Sequence, residues 1–295
     1  MDTKVFPYFI TLYQTRNMHK AAEQLYITQQ GLSRILQNLE KEFGVHFFER
    51  NKYGMFPTKA GDKFYEYAVG MQRDLNRMQL DIHELATGRE ELRIACAYGT
   101  MHILYQYIQM FYRKYPDIWI KWIEYTDLQT DRILQKEEVD LAFCVSGEGQ
   151  EKFELFPLFQ RQIMLLVYPG HPFWNRQSIE VKDLKGEKIV MEGSQFHIFS
   201  SFREKCLEAG FYPDIVAQTT EMNLCHKLCR MKEGLGIAID FIAKLNDAED
   251  IKAIPIETEG FEWQVSLAAK RGRKKRPGAE KFLQFIREQF EACLL

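Results

Sequence analysis

Phe6, Phe9, Ile10 and Tyr13 recur at i, i+3, i+4 and i+7, which predicts one apolar face of a short helix. Asn17 suits the N-cap of a second helix through Ala21, Ala22 and Leu25, whose two alanines allow another helix to approach closely. Tyr26-Ile27 reads as a tight connection, and Thr28 as the N-cap of a third helix. Ile27 before that cap and Leu32 after it match a hydrophobic staple. Leu32, Ile35, Leu36 and Leu39 form the buried stripe of the third helix. Gln30, Ser33, Arg34, Gln37 and Lys41 then point away from it, leaving a face of amides, a hydroxyl and cations. Such a face suits the base edges of a major groove, and equally an ordinary solvated surface. The helix–short turn–helix context favours the first reading.

Beyond Gly44 the pattern turns strand-like at 45–50, breaks at 51–54 and returns at 55–58, which predicts a two-stranded wing with a basic tip. Thr58 can cap a further helix that Gly88 stops. In it Phe64, Ala68, Met71, Leu75, Met78, Ile82 and Leu85 alternate spacings of four and three, the a/d seam of a coiled coil. The seam predicts pairing with another helix; a helix lying on its own domain is the alternative. From residue 90 strand-like and helix-like runs alternate: strands at 91–97, 119–124, 139–145, 163–168, near 215 and at 236–239. Helices are expected at 101–111, 128–135, from about 195, and at 222–231. This alternation indicates a parallel α/β sheet.

The chain has 295 residues and a net charge of −2, enough for two domains. The charge is uneven: residues 1–60 carry +3 and the rest −5, a partial footprint of DNA binding. No apolar run is long enough for a membrane helix and the start lacks a signal-peptide pattern, so a cytoplasmic protein is expected. The six cysteines are dispersed. Cys225-His226-x-x-Cys229 has a hint of metal spacing but no completing pair, so ordinary buried thiols are expected, with no metal and no cofactor. No Walker loop, nucleophile elbow or dinucleotide fingerprint stands between a strand and a helix. His171, before Pro172, is expected in a surface turn, and the basic run 271–276 as a solvated loop.

Several motifs together resemble the winged helix-turn-helix of LysR-type transcriptional regulators. They are Ala21-Ala22-x-x-Leu25, Thr28-Gln29-Gln30-Gly31-Leu32-Ser33-Arg34, Leu39-Glu40-x-x-x-Gly44, Phe47-Phe48-Glu49-Arg50 and Thr58-x-Ala60-Gly61. Gln30 stands where the family usually has Pro, and Pro57 where it usually has Leu. Leu92-Arg93-Ile94, Val139-Asp140-Leu141-Ala142, His171-Pro172-Phe173, Val181-Lys182-Asp183-Leu184 and Gly234-x-Gly236-Ile237-Ala238 resemble landmarks of the family's effector domain. The resemblance implies an α/β fold with two lobes, like a periplasmic binding protein. It also implies a dimerising linker helix, a small-molecule effector between the lobes, and a homodimer or homotetramer on double-stranded DNA. The expected division is 1–60 for the winged helix-turn-helix, 61–89 for the linker and 90–295 for the effector domain. Lobe I is expected over 90–163 and 267–295, lobe II over 164–266, with strands crossing near 162–168 and 265–270.

Gln29, Gln30, Ser33, Arg34 and Gln37 are the expected major-groove residues, with Arg50 and Lys52 on phosphates. An effector should lie at the carboxyl ends of the strands. Thr100 begins a helix directly after a strand, so its hydroxyl and the neighbouring N–H groups suit an anion, or the residue merely caps the helix. Tyr98, Gly99, Met101 and Ser146 accompany it, facing Ser194, Gln195, Phe196 and Asn223 of the other lobe. A solute-binding α/β module, or an enzyme with an accessory helix-turn-helix, is the alternative to a regulator.

Overall fold

The computed structural model describes residues 2–51, 54–245 and 250–291. The chain divides into two compact units, Met1–Gly88 and Arg89–Leu295.

In the first unit, polar caps fix three short helices: α1 (Val5–Thr15), α2 (Met18–Gln24) and α3 (Gln29–Phe43). Asn17 Oδ1 accepts from the N–H groups of His19 and Lys20, and Thr28 Oγ1 accepts from the Gly31 N–H at 3.0 Å. Gly44, at φ +67°, ends α3 in the left-handed conformation. The wing follows as β1 (Phe48–Asn51) paired antiparallel with β2 (Gly54–Pro57). Glu40 on α3 accepts the Phe47 N–H at 2.8 Å, and the Met55 N–H donates to the Arg16 carbonyl at 3.0 Å. These two bonds tie the wing to the helices. Thr58 Oγ1 caps α4 (Lys59–Thr87) by accepting from the Gly61 N–H. A Cβ at Gly61 would collide with the Phe47 carbonyl oxygen, so α4 leaves the wing at a distance only glycine permits. Phe9, Leu12, Leu32, Leu36, Leu39, Phe47 and Phe48 form the core. Phe64 of α4 packs on Phe9, ring centroids 4.5 Å apart. Farther along α4 the seam leaves this core: Leu75 is half-buried, and Met71, Met78, Ile82 and Leu85 are exposed.

The second unit alternates strand and helix: β3 (Glu90–Ala97), α5 (Met101–Lys114), β4 (Ile118–Tyr125), α6 (Asp127–Gln135), β5 (Leu141–Val145) and β6 (Phe153–Val167). There follow β7 (Lys188–Glu192), α7 (His197–Glu208), β8 (Asp214–Thr219), α8 (Met222–Arg230), β9 (Leu235–Ile239) and α9 (Asp240–Leu245). Last come β10 (Lys252–Pro255), β11 (Glu262–Lys270) and α10 (Pro277–Glu291). The strand order is β4-β3-β5-β11-β6-β9-β7-β8, with β10 also on β6. β6 joins the two lobes. Its first part, Phe153–Gln162, pairs with β11, and its second part, from Ile163, pairs with β9 and β10. Lobe I is β4-β3-β5-β11 with the first part of β6; lobe II is the rest of β6 with β9, β7, β8 and β10. α10 packs on α5 and β3, in lobe I.

Several expectations are corrected. β6 begins ten residues before the run that reads as a strand, and β11 three before its own. Over Phe153–Gln162 only Phe153 and Leu158 are buried, and Pro157 faces Ser266 where the register slips between Val265 and Ser266. Only the fully buried end carries an uninterrupted apolar run. His171 is not in a solvated turn: it is buried, its Nδ1 accepts the Phe173 N–H at 3.2 Å, and its Nε2 lies 3.2 Å from Glu187. The basic run is not a solvated loop either. Arg276 donates to the Glu91 carbonyl, Arg273 to the Val139 carbonyl, and Lys275 to Glu154 at 2.7 Å. Arg273 also lies 3.6 Å from both Glu137 and Asp140. A buried Asp140 draws Arg273 and Arg276 inward, since a carboxylate out of water requires paired charge. Thr100 stands at the N-cap position of α5, but its hydroxyl caps no N–H: it donates to the Ala97 carbonyl at 2.6 Å.

Candidate functional site: a recognition helix and an interlobe cleft

α3 presents its polar side as the pattern requires. Gln29, Gln30, Arg34 and Gln37 are exposed and Ser33 is half-buried, while Leu32, Leu36 and Leu39 anchor the opposite side. Gln30, Arg34, Gln37 and Lys41 lie at i, i+4, i+7 and i+11, one continuous row with no carboxylate in it. Arg50 stands on β1 opposite Met55. Lys52 lies outside the described residues.

The second constellation lies where the lobes meet. On the lobe I side, Gly99 takes φ +83° between β3 and α5, and Thr100 behind it is fully buried. A Cβ on Gly99 would come within 2.9 Å of Met222 Cε, so the turn touches the start of α8, where exposed Asn223 follows. Tyr98 is partly exposed and Met101 buried. Ser146 donates its N–H to the Gln264 carbonyl at 2.9 Å. On the lobe II side Ser194 is exposed, Gln195 half-buried, and Phe196 lies in the core, 3% exposed. The expected residues therefore lie on both lobes around their junction, with Thr100, Met101 and Phe196 buried.

Four titratable residues that the sequence pattern does not single out sit among them. The Leu128 N–H donates to the Gln195 carbonyl at 3.2 Å. The His197 N–H, opening α7, donates to Asp127 Oδ2 at 2.9 Å, so a carboxylate of lobe I caps a helix of lobe II. His197 Nε2 is 2.8 Å from Asp131 Oδ2, and Gln150 Nε2 donates to the same carboxylate and to the Val145 carbonyl. Gly147 packs flat on the His197 ring, and any side chain there would collide with it. Burial pushes Asp127 up to about 6, against the hydrogen bond from the His197 N–H. Burial alone would lower His197, but the hydrogen bond to Asp131 and the charges of Asp127 and Asp131 outweigh it and raise the imidazole. Glu192, at the end of β7, is 6% exposed, and burial, with the charge of Asp127, pushes it up to about 8. Asp127 and Asp131, at i and i+4 on α6, are a legible pair on one helix face. Their partner 66 residues along the chain is not.

Five cysteines are described, all buried and unbridged. Burial pushes Cys206 and Cys225 up to about 12 and Cys229 to about 11. Among the described residues no His, Cys, Asp and Glu group has metal-binding geometry, and no helix is long and apolar enough to cross a membrane.

Known proteins match over both units. Residues 4–62 match the family model of the bacterial regulatory helix-turn-helix protein, lysR family, and residues 86–291 that of the LysR substrate binding domain. The HTH-type transcriptional regulator YwbI of Bacillus subtilis is 22% identical, over 92% of this chain and 91% of its own length. The crystal structure of full-length CbnR complexed with its target DNA superposes with a TM-score of 0.65. It is 20% identical, covering 98% of this chain and 99% of that one. The effector binding domain of QuiR in complex with shikimate has a TM-score of 0.62 at 19% identity, over 69% of this chain and 98% of that one.

Proposed function

Because the chain belongs to the LysR family of bacterial regulatory helix-turn-helix proteins, and so is a DNA-binding transcriptional regulator, we propose how its parts divide that work. Residues 1–60 read the operator. Residues 61–89 pair two copies of the chain. Residues 90–295 hold a small effector between lobe I and lobe II. The observation that carries the DNA reading is the exposed row Gln30, Arg34 and Gln37 on a helix whose other side is core. Amides and a guanidinium match the donor and acceptor pattern of bases. Gln29 and Ser33 flank that row, and Arg50 and Lys52 on the wing neutralise phosphates. The complex of CbnR with its target DNA supports this docking. The exposed seam of α4 supports a homodimer, which effector-domain contacts can extend to a homotetramer. A regulator of this kind works in the cytoplasm, beside its DNA, and we assign the body no catalysis.

The effector reading rests on the turn 98–101, which opens α5 at the carboxyl end of β3, its Gly99 against Met222 at the start of α8. QuiR with shikimate supports a ligand in this domain. We assign a small anionic effector, held by N–H groups at the start of α5 and by the Thr100 hydroxyl once it turns from the Ala97 carbonyl. A thermal-shift screen of small carboxylic acids against the wild type and Thr100→Val tests the assignment. The expected result is an acid that raises the wild-type Tm and leaves that of Thr100→Val unmoved. An acid that stabilises both equally removes Thr100 from the site.

A further inference from the structure

Four contacts between the lobes converge on one helix start. Leu128 and Asp127 of α6 reach the Gln195 carbonyl and the His197 N–H, Asp131 reaches the His197 ring, and Gly147 packs against that ring. All four attachments join lobe I to the first turn of α7 and the loop before it. Asp127 and His197 are each 4% exposed, so water screens this contact little. Gln150, 5% exposed, holds Asp131 in place from below. Glu192 stands on the lobe II side of the same junction, its Oε1 buried with no hydrogen-bond partner.

We propose that Asp127, Asp131 and His197 form a proton-dependent clasp that holds the two lobes closed and weakens as pH rises past neutrality. Its consequence for regulation rests on the interlobe effector reading above: the cleft opens to its ligand more readily when the clasp has lost its proton.

The charged and titratable groups facing the imidazole are Asp127 and Asp131 of α6 and Glu148 of the loop after β5. Cys144 of β5 lies against Asp131, and Glu192 of β7 faces Asp127. With His197 protonated, a cation sits against the Asp131 carboxylate and, above about pH 6, against an ionised Asp127 as well. With it neutral, those carboxylates lose their counter-charge, and ionised Glu192 then opposes Asp127 across the junction. Three shifts agree in sign. His197 is raised, so its contribution to closure is full below about 6.5 and lost as pH climbs through its value in the closed state. Asp127, raised to about 6, and Glu192, raised to about 8, prefer the protonated form when closed. Ionising them therefore costs closure as pH rises through those values. The closed form binds more protons than the open one, and opening is favoured by base.

Hydrogen exchange of the full-length protein reads this directly, on peptides covering 126–131 and 195–199, between about pH 6 and 8.5 and corrected for intrinsic rates. The amides of Leu128 and His197 are interlobe donors, and those of β3 and β5 serve as internal references. In the wild type the opening equilibrium of the two peptides should rise about tenfold or more across that range, one pKa unit being a factor of ten. His197→Gln, which cannot carry the charge, should already open at pH 6 as the wild type does at high pH, with a flatter profile. Asp131→Asn should shift the same way, and it decides the matter if His197→Gln does not fold. A flat wild-type profile, or wild-type protection of both peptides in the variants, overturns the clasp. That outcome leaves the effector assignment standing, because the thermal-shift comparison at Thr100 tests it separately.

Discussion

Arg34 and Lys52 separate two kinds of DNA contact. Arg34 lies on the exposed row of α3, where a guanidinium can bond guanine edges in a bidentate fashion. Arg34→Ala should cost ~1–3 kcal/mol on the cognate site and little on random duplex, measured by fluorescence anisotropy with both. Equal losses on the two would make Arg34 a phosphate contact. Lys52→Ala should weaken all duplexes alike and reduce the slope of log K against log salt by about one. Thr100 carries a second separation. Its hydroxyl bonds the Ala97 carbonyl, so Thr100→Val should lower stability by only ~0.5–1.5 kcal/mol in urea melts. The response to the effector should vanish nonetheless. The buried cysteines, with raised pKa values, should react with a thiol reagent in the native protein no faster than the fold opens. Rapid native labelling at Cys206 would contradict that.

At the scale of elements, α4 has two characters. Its first turns belong to the helix-turn-helix core through Ala60, Phe64 and Tyr65, and from Met71 onward the seam is exposed apart from half-buried Leu75. A row of Met, Leu and Ile open to water on a long helix calls for a second helix. Leu75→Glu sets two like charges in the seam of a dimer and should give monomers in sedimentation velocity. An unchanged oligomer would place the dimer contact elsewhere. Local signals made these elements legible. Asn17, Thr28 and Thr58 are caps in the structure as in the sequence, and the 3.6 period of α3 set its buried and exposed sides. What escaped was non-local. β6 reads short because in Phe153–Gln162 only Phe153 and Leu158 are buried and Pro157 breaks the run. Arg273 and Arg276 look like solvated charge because Asp140, which draws them in, lies more than 130 residues earlier in the chain. The clasp is hidden for the same reason: nothing near His197 in sequence announces Asp131.

For the whole molecule, the exposed polar row of α3, the exposed seam of α4 and a two-lobed body belong to a DNA-binding regulator that answers to a small molecule. A ligand or a proton can shift such an equilibrium only through different affinity for open and closed lobes. In the proposal made above, the clasp would supply that difference for the proton, and the turn at Gly99 and Thr100 for the effector. Symmetric pairing also dictates the target, two half-sites about a helical turn apart or a multiple of it. Selection of bound duplexes from a random pool by the full-length protein, repeated with Arg34→Ala, tests the central claim most directly. The wild type should enrich an inverted repeat with that spacing, and Arg34→Ala should lose or relax one base position in each half. A wild-type pool that stays random, with binding that only follows salt, would contradict sequence-specific recognition by this chain.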